Sequence, residues 1–275
     1  MIIGVDLGGT KIRAGINSDG IISDHRFTLL HSKDSLDSTL SQLKTFIAQL
    51  IKPGILGIGI GVPSIVDVDK GIVYNVVNIP SWERVELKDI LEKEFKLPVF
   101  VNNDVNCFVL GEQRYGQAKN YSSLVGLTIG TGLGSGIITN GKLYSGANCG
   151  AGEIGYLPYL KHNLEHYCSG IFFELEKNTT AIKVFNDASA GDDSALAIWR
   201  EFGVHMGNAV KCVMYAYDPE AIIIGGSVAN AYKFFQDSMK KEMQDFLFPG
   251  SLKKLKIILS DNKDIQLLGA SALVI

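Results

Sequence analysis

Asp6-Leu7-Gly8-Gly9-Thr10-Lys11 stands directly after the apolar run Ile2 to Val5, and a second glycine loop, Gly130-Thr131-Gly132-Leu133-Gly134, stands directly after Leu124 to Ile129. Each loop runs on into further short strands. In the first half these are Lys11 to Asn17 and Ile21 to Phe27, parted by Asp19-Gly20; in the second they are Gly136 to Asn140 and Lys142 to Tyr144. Both stretches read as a three-stranded meander, because short β-prone runs are punctuated by turn residues. The first meander leads into a helix from Ser35 to Ile51, with Leu36, Leu40, Leu43, Phe46, Ile47 and Leu50 on one face. A buried strand Ile55 to Val62, a helix Leu87 to Phe95, a strand Val99 to Asn102 and a helix Asn103 to Tyr115 follow. The pattern restarts around Gly116 to Tyr121. The second meander precedes a long helix Ser194 to Tyr217, a strand Ala221 to Ile224, a helix Val228 to Phe246, a strand Leu255 to Leu259 and a terminal helix from Ile265. Two halves that open alike predict a duplicated α/β fold with a cleft between lobes 1–116 and 117–262, the C-terminal helix 263–275 joining the first lobe.

Composition agrees with a folded chain that handles a small molecule. The 275 residues are 46% hydrophobic, enough for one large or two medium cores. With 26 basic and 29 acidic side chains the net charge is −3, which offers no electrostatic footprint for nucleic acid or an anionic membrane. The start, Met1-Ile2-Ile3-Gly4, has no basic leader, and no apolar run is long enough to span a bilayer, so a cytoplasmic location is expected. Cys107, Cys149, Cys168 and Cys212 lack CxxC spacing and read as buried thiols.

Glycine, at 30 residues, is clustered where backbone must approach something closely. In the first loop the backbone N–H groups of Gly8 and Gly9 can close on phosphate oxygens, Thr10 and Lys11 add donors, and Asp6 can hold Mg²⁺ through water. An ordinary hairpin turn with an exposed lysine is the alternative. The second loop, including Thr131 and Gly132, is too glycine-dense for a simple turn and suits closely held phosphates; a strand follows it where a dinucleotide fingerprint would need a helix. Ile222-Ile223-Ile224-Gly225-Gly226-Ser227 offers a glycine backbone against which a flat base could lie, or merely joins strand to helix. At Asn102-Asn103-Asp104-Val105-Asn106, Asp104 falls at a strand end and helix start, where a carboxylate can take the proton of an attacking hydroxyl. Asn103 and Asn106 offer paired donors and acceptors, though Asn102, Asn103 or Asp104 could equally cap the helix.

In order along the chain, DLGGTK, Gly61-Val62-Pro63, Asn78 to Trp82, NDVN with Glu112, TIGTGLGSG, Gly152 to Gly155, Asp218-Pro219-Glu220 with the IIIGG strand, and Leu267 to Ala270 resemble the ROK-family sugar kinases over nearly the whole length. The resemblance implies an actin-like ATPase (ribonuclease H-like) fold and phosphoryl transfer from ATP, with Mg²⁺, to a hydroxyl of a hexose or N-acylhexosamine. It implies Asp104 as base, the two glycine loops on the ATP phosphates and Gly225-Gly226 near the nucleoside. Sugar contacts would come from Asn78, Asn103, Asp104 and Glu153, with Glu174 as the best match to a further carboxylate. A homodimer is implied as well.

The chain departs from that family in one segment. Many members read GEIGH and then CGCGxxGCxE, whose histidine and three cysteines bind a structural zinc. Here Tyr156 stands at the histidine position and Glu165 to Glu174 keeps one thiol, Cys168. A closed tetrahedral site needs four ligands, so no zinc is expected, and Phe172 and Phe173 are expected to stabilise the loop by burial instead. Tyr156 could hydrogen-bond a sugar or pack in the core, and His162 and His166 read as loop residues without catalytic duty. A sugar-sensing regulator is the competing function, since the family includes repressors; those carry a DNA-reading module ahead of the first strand, which this chain reaches at residue 2.

Overall fold

The computed structural model describes residues 1–274. In the first half, β1 (Ile2–Leu7), β2 (Lys11–Ser18) and β3 (Ile21–Leu29) form the meander, followed by α1 (Leu36–Ala48), β4 (Ile58–Val62), β5 (Ile65–Asp67), β6 (Ile72–Tyr74), β7 (Arg84–Val85), α2 (Leu87–Phe95), β8 (Val99–Asn103) and α3 (Asp104–Arg114). The second half contains β9 (Leu124–Ile129), β10 (Leu133–Thr139), β11 (Lys142–Leu143), β12 (Pro158–Tyr159), β13 (His162–Asn163), α4 (Leu164–Tyr167), a π-helical turn (Phe172–Glu176), α5 (Ala181–Ser189), α6 (Asp193–Tyr217), β14 (Ala221–Gly225), α7 (Tyr232–Glu242), α8 (Pro249–Lys254) and β15 (Lys256–Leu259). The chain ends in α9 (Ile265–Ala272).

The two large sheets have the same topology: β3-β2-β1-β4-β8 and β11-β10-β9-β14-β15. In each, an antiparallel meander is extended by two strands parallel to the first. The duplication expected from the paired glycine loops is present. Each sheet has its own core, one aliphatic around Ile3, Leu43, Ile60 and Val99, the other aromatic around Phe172, Phe173, Trp199, Phe202 and Phe235. A third cluster joins them. It is built from Phe108 and Val109 of α3, Leu267 and Leu268 of α9, Leu124 and Ile138 of the second sheet, and Ala221 and Ile223 of β14. Helices α3 and α9 pack on each other, and α9 lies on β1 and β4 of the first sheet. Where α3 leaves for the second half, Glu112 is fully buried and its Oε2 accepts the Gln117 N–H at 2.9 Å. Among the described residues no helix is long and apolar enough to cross a membrane.

Several boundaries differ from the sequence reading for packing reasons. Residues 55–57 are outside β4, which begins at Ile58. The expected helix Val228 to Phe246 is interrupted: 3-10 turns at Val228–Ala231 and Met243–Asp245 flank α7. β10 starts at Leu133, not Gly136, so the second glycine loop is shorter than read. A Cβ on Gly136 would meet Val109 Cγ1 and the Val105 carbonyl at 2.8 Å, so this glycine admits α3 onto the sheet and does not serve a ligand.

Candidate active site between the two sheets

The parallel strands β1, β4 and β8 end together, with Asp6, Gly61 and Asn102 in register across them. Crevices beyond the carboxyl ends of parallel strands are where such sheets bind ligands. Here the crevice faces the second sheet, because α3 starts at the end of β8 and packs against β9 and β10. Asp104 is the first residue of α3. Its Oδ1 accepts the Val105 N–H at 2.9 Å, which favours the carboxylate, as does the helix N-terminus. Burial of the carboxyl outweighs these effects, and the negative charges of Asp6 and Glu153 add to it. The outcome is a pKa raised to about 7.

The Asn103 side chain is the N-cap of α3: its Oδ1 accepts from Val105 N at 2.8 Å and Asn106 N at 3.3 Å, while Nδ2 donates to the Ser64 carbonyl at 3.2 Å. Capping consumes the acceptor and leaves one Nδ2 proton for a ligand. Asn106 is not available. It is 2% exposed, its Nδ2 donates to Asn102 Oδ1 at 2.9 Å, and its own Oδ1 is buried with no hydrogen-bond partner among the described residues. Asn78 is delivered from the segment that follows β6. Ile79 and Trp82 sink into the first core, Trp82 Nε1 donating to Thr39 Oγ1 at 2.7 Å, and the alternate residue Asn78 is left exposed with its Cβ filling the space beside Gly9. Asn78 and the first glycine loop therefore touch. In that loop Gly8 N–H bonds the Lys11 carbonyl at 2.9 Å, and Thr10 and Lys11 are exposed.

On the opposite wall a 3-10 turn, Ile154–Tyr156, buries Ile154 and Gly155 and so turns Glu153 and Tyr156 outward. Tyr156 is 66% exposed, which rules out the core-packing alternative. Its hydroxyl is held above its ordinary pKa by Glu165, by partial burial and by Glu153. Glu153 is itself raised by partial enclosure and by Glu165. The carboxylates thus form a chain from Asp6 through Asp104 and Glu153 to Glu165, with Tyr156 beside the last two.

Glu174 takes no part in it. The π-helical turn that carries Glu174 buries Phe172 and Phe173, and this leaves Glu174 exposed and without a hydrogen bond among the described residues. Glu165, which the sequence reading passed over, is the second carboxylate on this wall, near Glu153. It sits on α4, Oε2 accepts the Leu133 N–H at 2.9 Å, and it lies against Gly132 of the second glycine loop. A signal existed in the sequence: Asn163 three residues before His166 is an N-cap spacing, placing Glu165 in a first helical turn.

The second glycine loop closes with Gly130 N–H on the Gly132 carbonyl at 3.0 Å and is backed by Gly170 N–H on the Gly130 carbonyl at 2.8 Å. Gly225 pairs with Thr128 in register, and Gly226 has φ +91°, with the Ile129 backbone where a Cβ would fall. Only glycine turns the chain there. Beyond it opens a cleft of about 780 Å³ lined by Thr128, Gly225, Gly226, Tyr232, Lys233 and Gln266, among others.

The residues present do not fit a family-type zinc. Cys168 is fully buried in the aromatic core, Cys149 lies in the other core with its Sγ 3.8 Å from Asn102 Oδ1, and Tyr156 supplies no imidazole. Phe172 and Phe173 are both fully buried, with Phe173 4.7 Å from Trp199 and 5.2 Å from Phe202 between ring centroids, so aromatic packing holds this segment. His162, His166 and Glu176 do come within 4.8 Å of one another. The two imidazoles, however, are stacked at 4.0 Å and 19°, and an ion must lie in the plane of each ring that binds it; His166 Nε2 instead bonds Glu176 Oε1 at 2.7 Å.

The sequence matches the ROK family model over residues 2–275. A glucokinase of Halalkalibacterium halodurans is 31% identical over 90% of this chain and 86% of its own length. A xylose repressor of Bacillus spizizenii is 27% identical over 99% of this chain and 76% of the repressor. The crystal structure of a ROK family glucokinase from Streptomyces griseus, in complex with glucose and AMPPNP, superimposes with a TM-score of 0.83 at 26% identity, covering 99% of this chain and 98% of that one. Twinned sheets of identical strand order, a cleft between them and this likeness over nearly the full length make the chain a member of the ROK family, with the actin-like ATPase fold of its sugar kinases.

Proposed function

We propose that the protein is an ATP-dependent sugar kinase that transfers the γ-phosphoryl group to a hydroxyl of a hexose or N-acylhexosamine, with Asp104 as general base. The observation that carries this reading is Asp104 itself: a carboxyl just beyond the ends of the parallel strands β1, β4 and β8, raised to a pKa of about 7 by burial and by the nearby charges of Asp6 and Glu153. A base poised near neutrality both exists ionised and accepts a proton readily. The sugar oxygen attacks phosphorus as its proton passes to the Asp104 carboxylate. The bond between phosphorus and the bridging oxygen breaks, and ADP leaves with that electron pair.

The sugar lies between Asn78, the free Nδ2 proton of Asn103, Asp104, Glu153 and Tyr156, and Glu165 replaces Glu174 as the further carboxylate because it adjoins Glu153 and Tyr156. The phosphates lie along Gly8, Gly9, Thr10 and Lys11 of one loop and Thr131 and Gly132 of the other. The nucleoside occupies the cleft at Gly225-Gly226. Asp6 is the oxygen donor that would hold Mg²⁺ through water, and the ion supplies charge neutralisation on the phosphates when bound. In this reading residues 1–116 with α9 form the sugar and phosphate lobe and 117–262 the ATP lobe, working as a cytoplasmic homodimer.

A panel of hexoses and N-acylhexosamines, incubated with ATP and Mg²⁺ and followed by ADP release, tests the proposal. Turnover of one sugar by the wild type, and its loss in Asp104→Asn with sugar binding retained, is the expected result. Sugar binding without turnover in the wild type would favour the second reading, a sugar-sensing regulator, which the likeness to the xylose repressor supports.

A further inference from the structure

We infer that Arg13 is a positioning residue for this cleft: it holds the Asp6 carboxylate on one oxygen and ties it to the wall of the nucleotide cleft, a role that rests on the kinase reading above.

Asp6 and Arg13 face each other across the β1–β2 hairpin. Arg13 Nε and Nη2 both donate to Asp6 Oδ2, at 3.0 and 2.8 Å. The same guanidinium reaches the C-terminal segment that packs on the first sheet, where Nη2 donates to Gln266 Oε1 and Nη1 to the Lys263 carbonyl at 3.3 Å. Gln266 and Lys263 line the 780 Å³ cleft, one on α9 and one just before it. One planar cation therefore links β1, β2 and the entry to α9. A fork of this kind fixes direction as well as charge, which a single ammonium does not.

The arrangement answers an electrostatic need. Asp6, Asp104 and Glu153 lie close enough for Asp6 and Glu153 to hold Asp104 in its protonated form more strongly, and a polyphosphate must approach this group of carboxylates. Among the described residues Arg13 is the one cation hydrogen-bonded to any of the three. Among the described residues every hydrogen bond to the Asp6 side chain lands on Oδ2, which leaves Oδ1 for a hydrated metal ion. Because Gln266 shares the guanidinium, the carboxylate and the nucleotide wall keep their spacing. The competing reading is a cross-strand ion pair that only stiffens the hairpin.

The test compares wild type, Arg13→Ala, Arg13→Lys and Gln266→Leu, using calorimetric titration with Mg²⁺ and ATP, separate sugar titration, and steady-state turnover. In Arg13→Ala, nucleotide affinity falls about tenfold, the size expected for a lost charge-assisted hydrogen bond, and kcat falls at least as far. Sugar affinity stays within about twofold, because Arg13 touches no sugar-side residue. Arg13→Lys recovers most of the affinity but not kcat, since it returns the charge and not the fork. Gln266→Leu weakens nucleotide binding with the Asp6 pair intact, and with Arg13→Lys it carries the test if Arg13→Ala fails to fold. Nucleotide affinity and kcat within about twofold of wild type in Arg13→Ala would overturn the inference. So would full recovery of both by lysine, or a parallel fall in sugar affinity and thermal midpoint. A wild type that binds nucleotide but phosphorylates no sugar would instead overturn the kinase reading, and the binding comparison would still decide the role of Arg13.

Discussion

The two halves share a strand order and a glycine loop, yet each loop is braced by different chemistry. In the first half, the loop after β1 is backed by Asn78 through carbon contact at Gly9. In the second, the loop after β9 is held by Glu165, whose carboxylate accepts the Leu133 N–H at 2.9 Å. A carboxylate bonded to a backbone N–H is a stronger and more directional brace than van der Waals contact. The same contrast runs through the cores: mainly aliphatic in the first half, with Trp82 and Phe46 as its aromatic members, against a run of buried Phe packed around Trp199 in the second. A duplicated scaffold has thus been specialised by what fills it, the first half presenting the carboxylates Asp6 and Asp104 and the second a roomy cleft.

The largest way to break this division of labour is at Asp104. Asp104→Asn is expected to lower kcat by roughly 10²–10⁴-fold, the usual contribution of a general base, while calorimetry still detects sugar. Unchanged turnover would remove Asp104 from the mechanism. Next comes the brace of the second loop. Glu165→Ala should cost about 10–100-fold in kcat/KM, through both the loop and the sugar wall, whereas Glu174→Ala should leave it within about twofold. The reverse order would restore Glu174 to the site. The aromatic core is tested by Phe173→Ala, expected to destabilise by about 3–5 kcal/mol on denaturant melts, with no gain or loss of bound metal in the pure protein.

The smallest effect is electrostatic and has a definite sign. Asp104 titrates at about 7 in the fold against an ordinary value of 3.8, so the folded state binds its proton more tightly than the unfolded chain. Its contribution to stability is full below about pH 4 and is lost as pH rises through 7. Asp104→Asn should therefore raise the thermal midpoint at pH 8 by a few degrees and leave it nearly unchanged at pH 4. Wild-type turnover should run the other way, falling as pH drops below 7 because the base becomes protonated.

Much of this division can be read from the residue string. The two loops predict the duplication because a glycine-rich loop after a buried strand, followed by another strand, occurs in both halves, and Asp104 stands out as a carboxylate where a strand meets a helix. The misreadings cluster where one residue type serves two purposes. Gly136 reads as the first residue of a strand after the loop but lies inside β10, where it admits α3 onto the sheet. Asn106 reads as a ligand amide but is buried on Asn102. Glu174 and Glu165 lie nine positions apart, and the one local signal that separates them is the Asn163 cap, which sets Glu165 in a first helical turn.

The residue string alone carried the main strands and helices of each half, the duplication and the identity of the base candidate, because periodicity and turn chemistry are local properties; β5 to β7, β12, β13, α4, α5 and α8 went unread, all but α5 being six residues or shorter. Long-range packing settled which carboxylates meet, that Tyr156 stands exposed beside Glu153 and Glu165, and that Arg13 joins its neighbour Asp6 to Gln266, 253 residues beyond the arginine. Those outcomes depend on which side of each short turn is buried. That choice is made by contacts between segments far apart in the chain, such as α3 on β10 and α9 on β1.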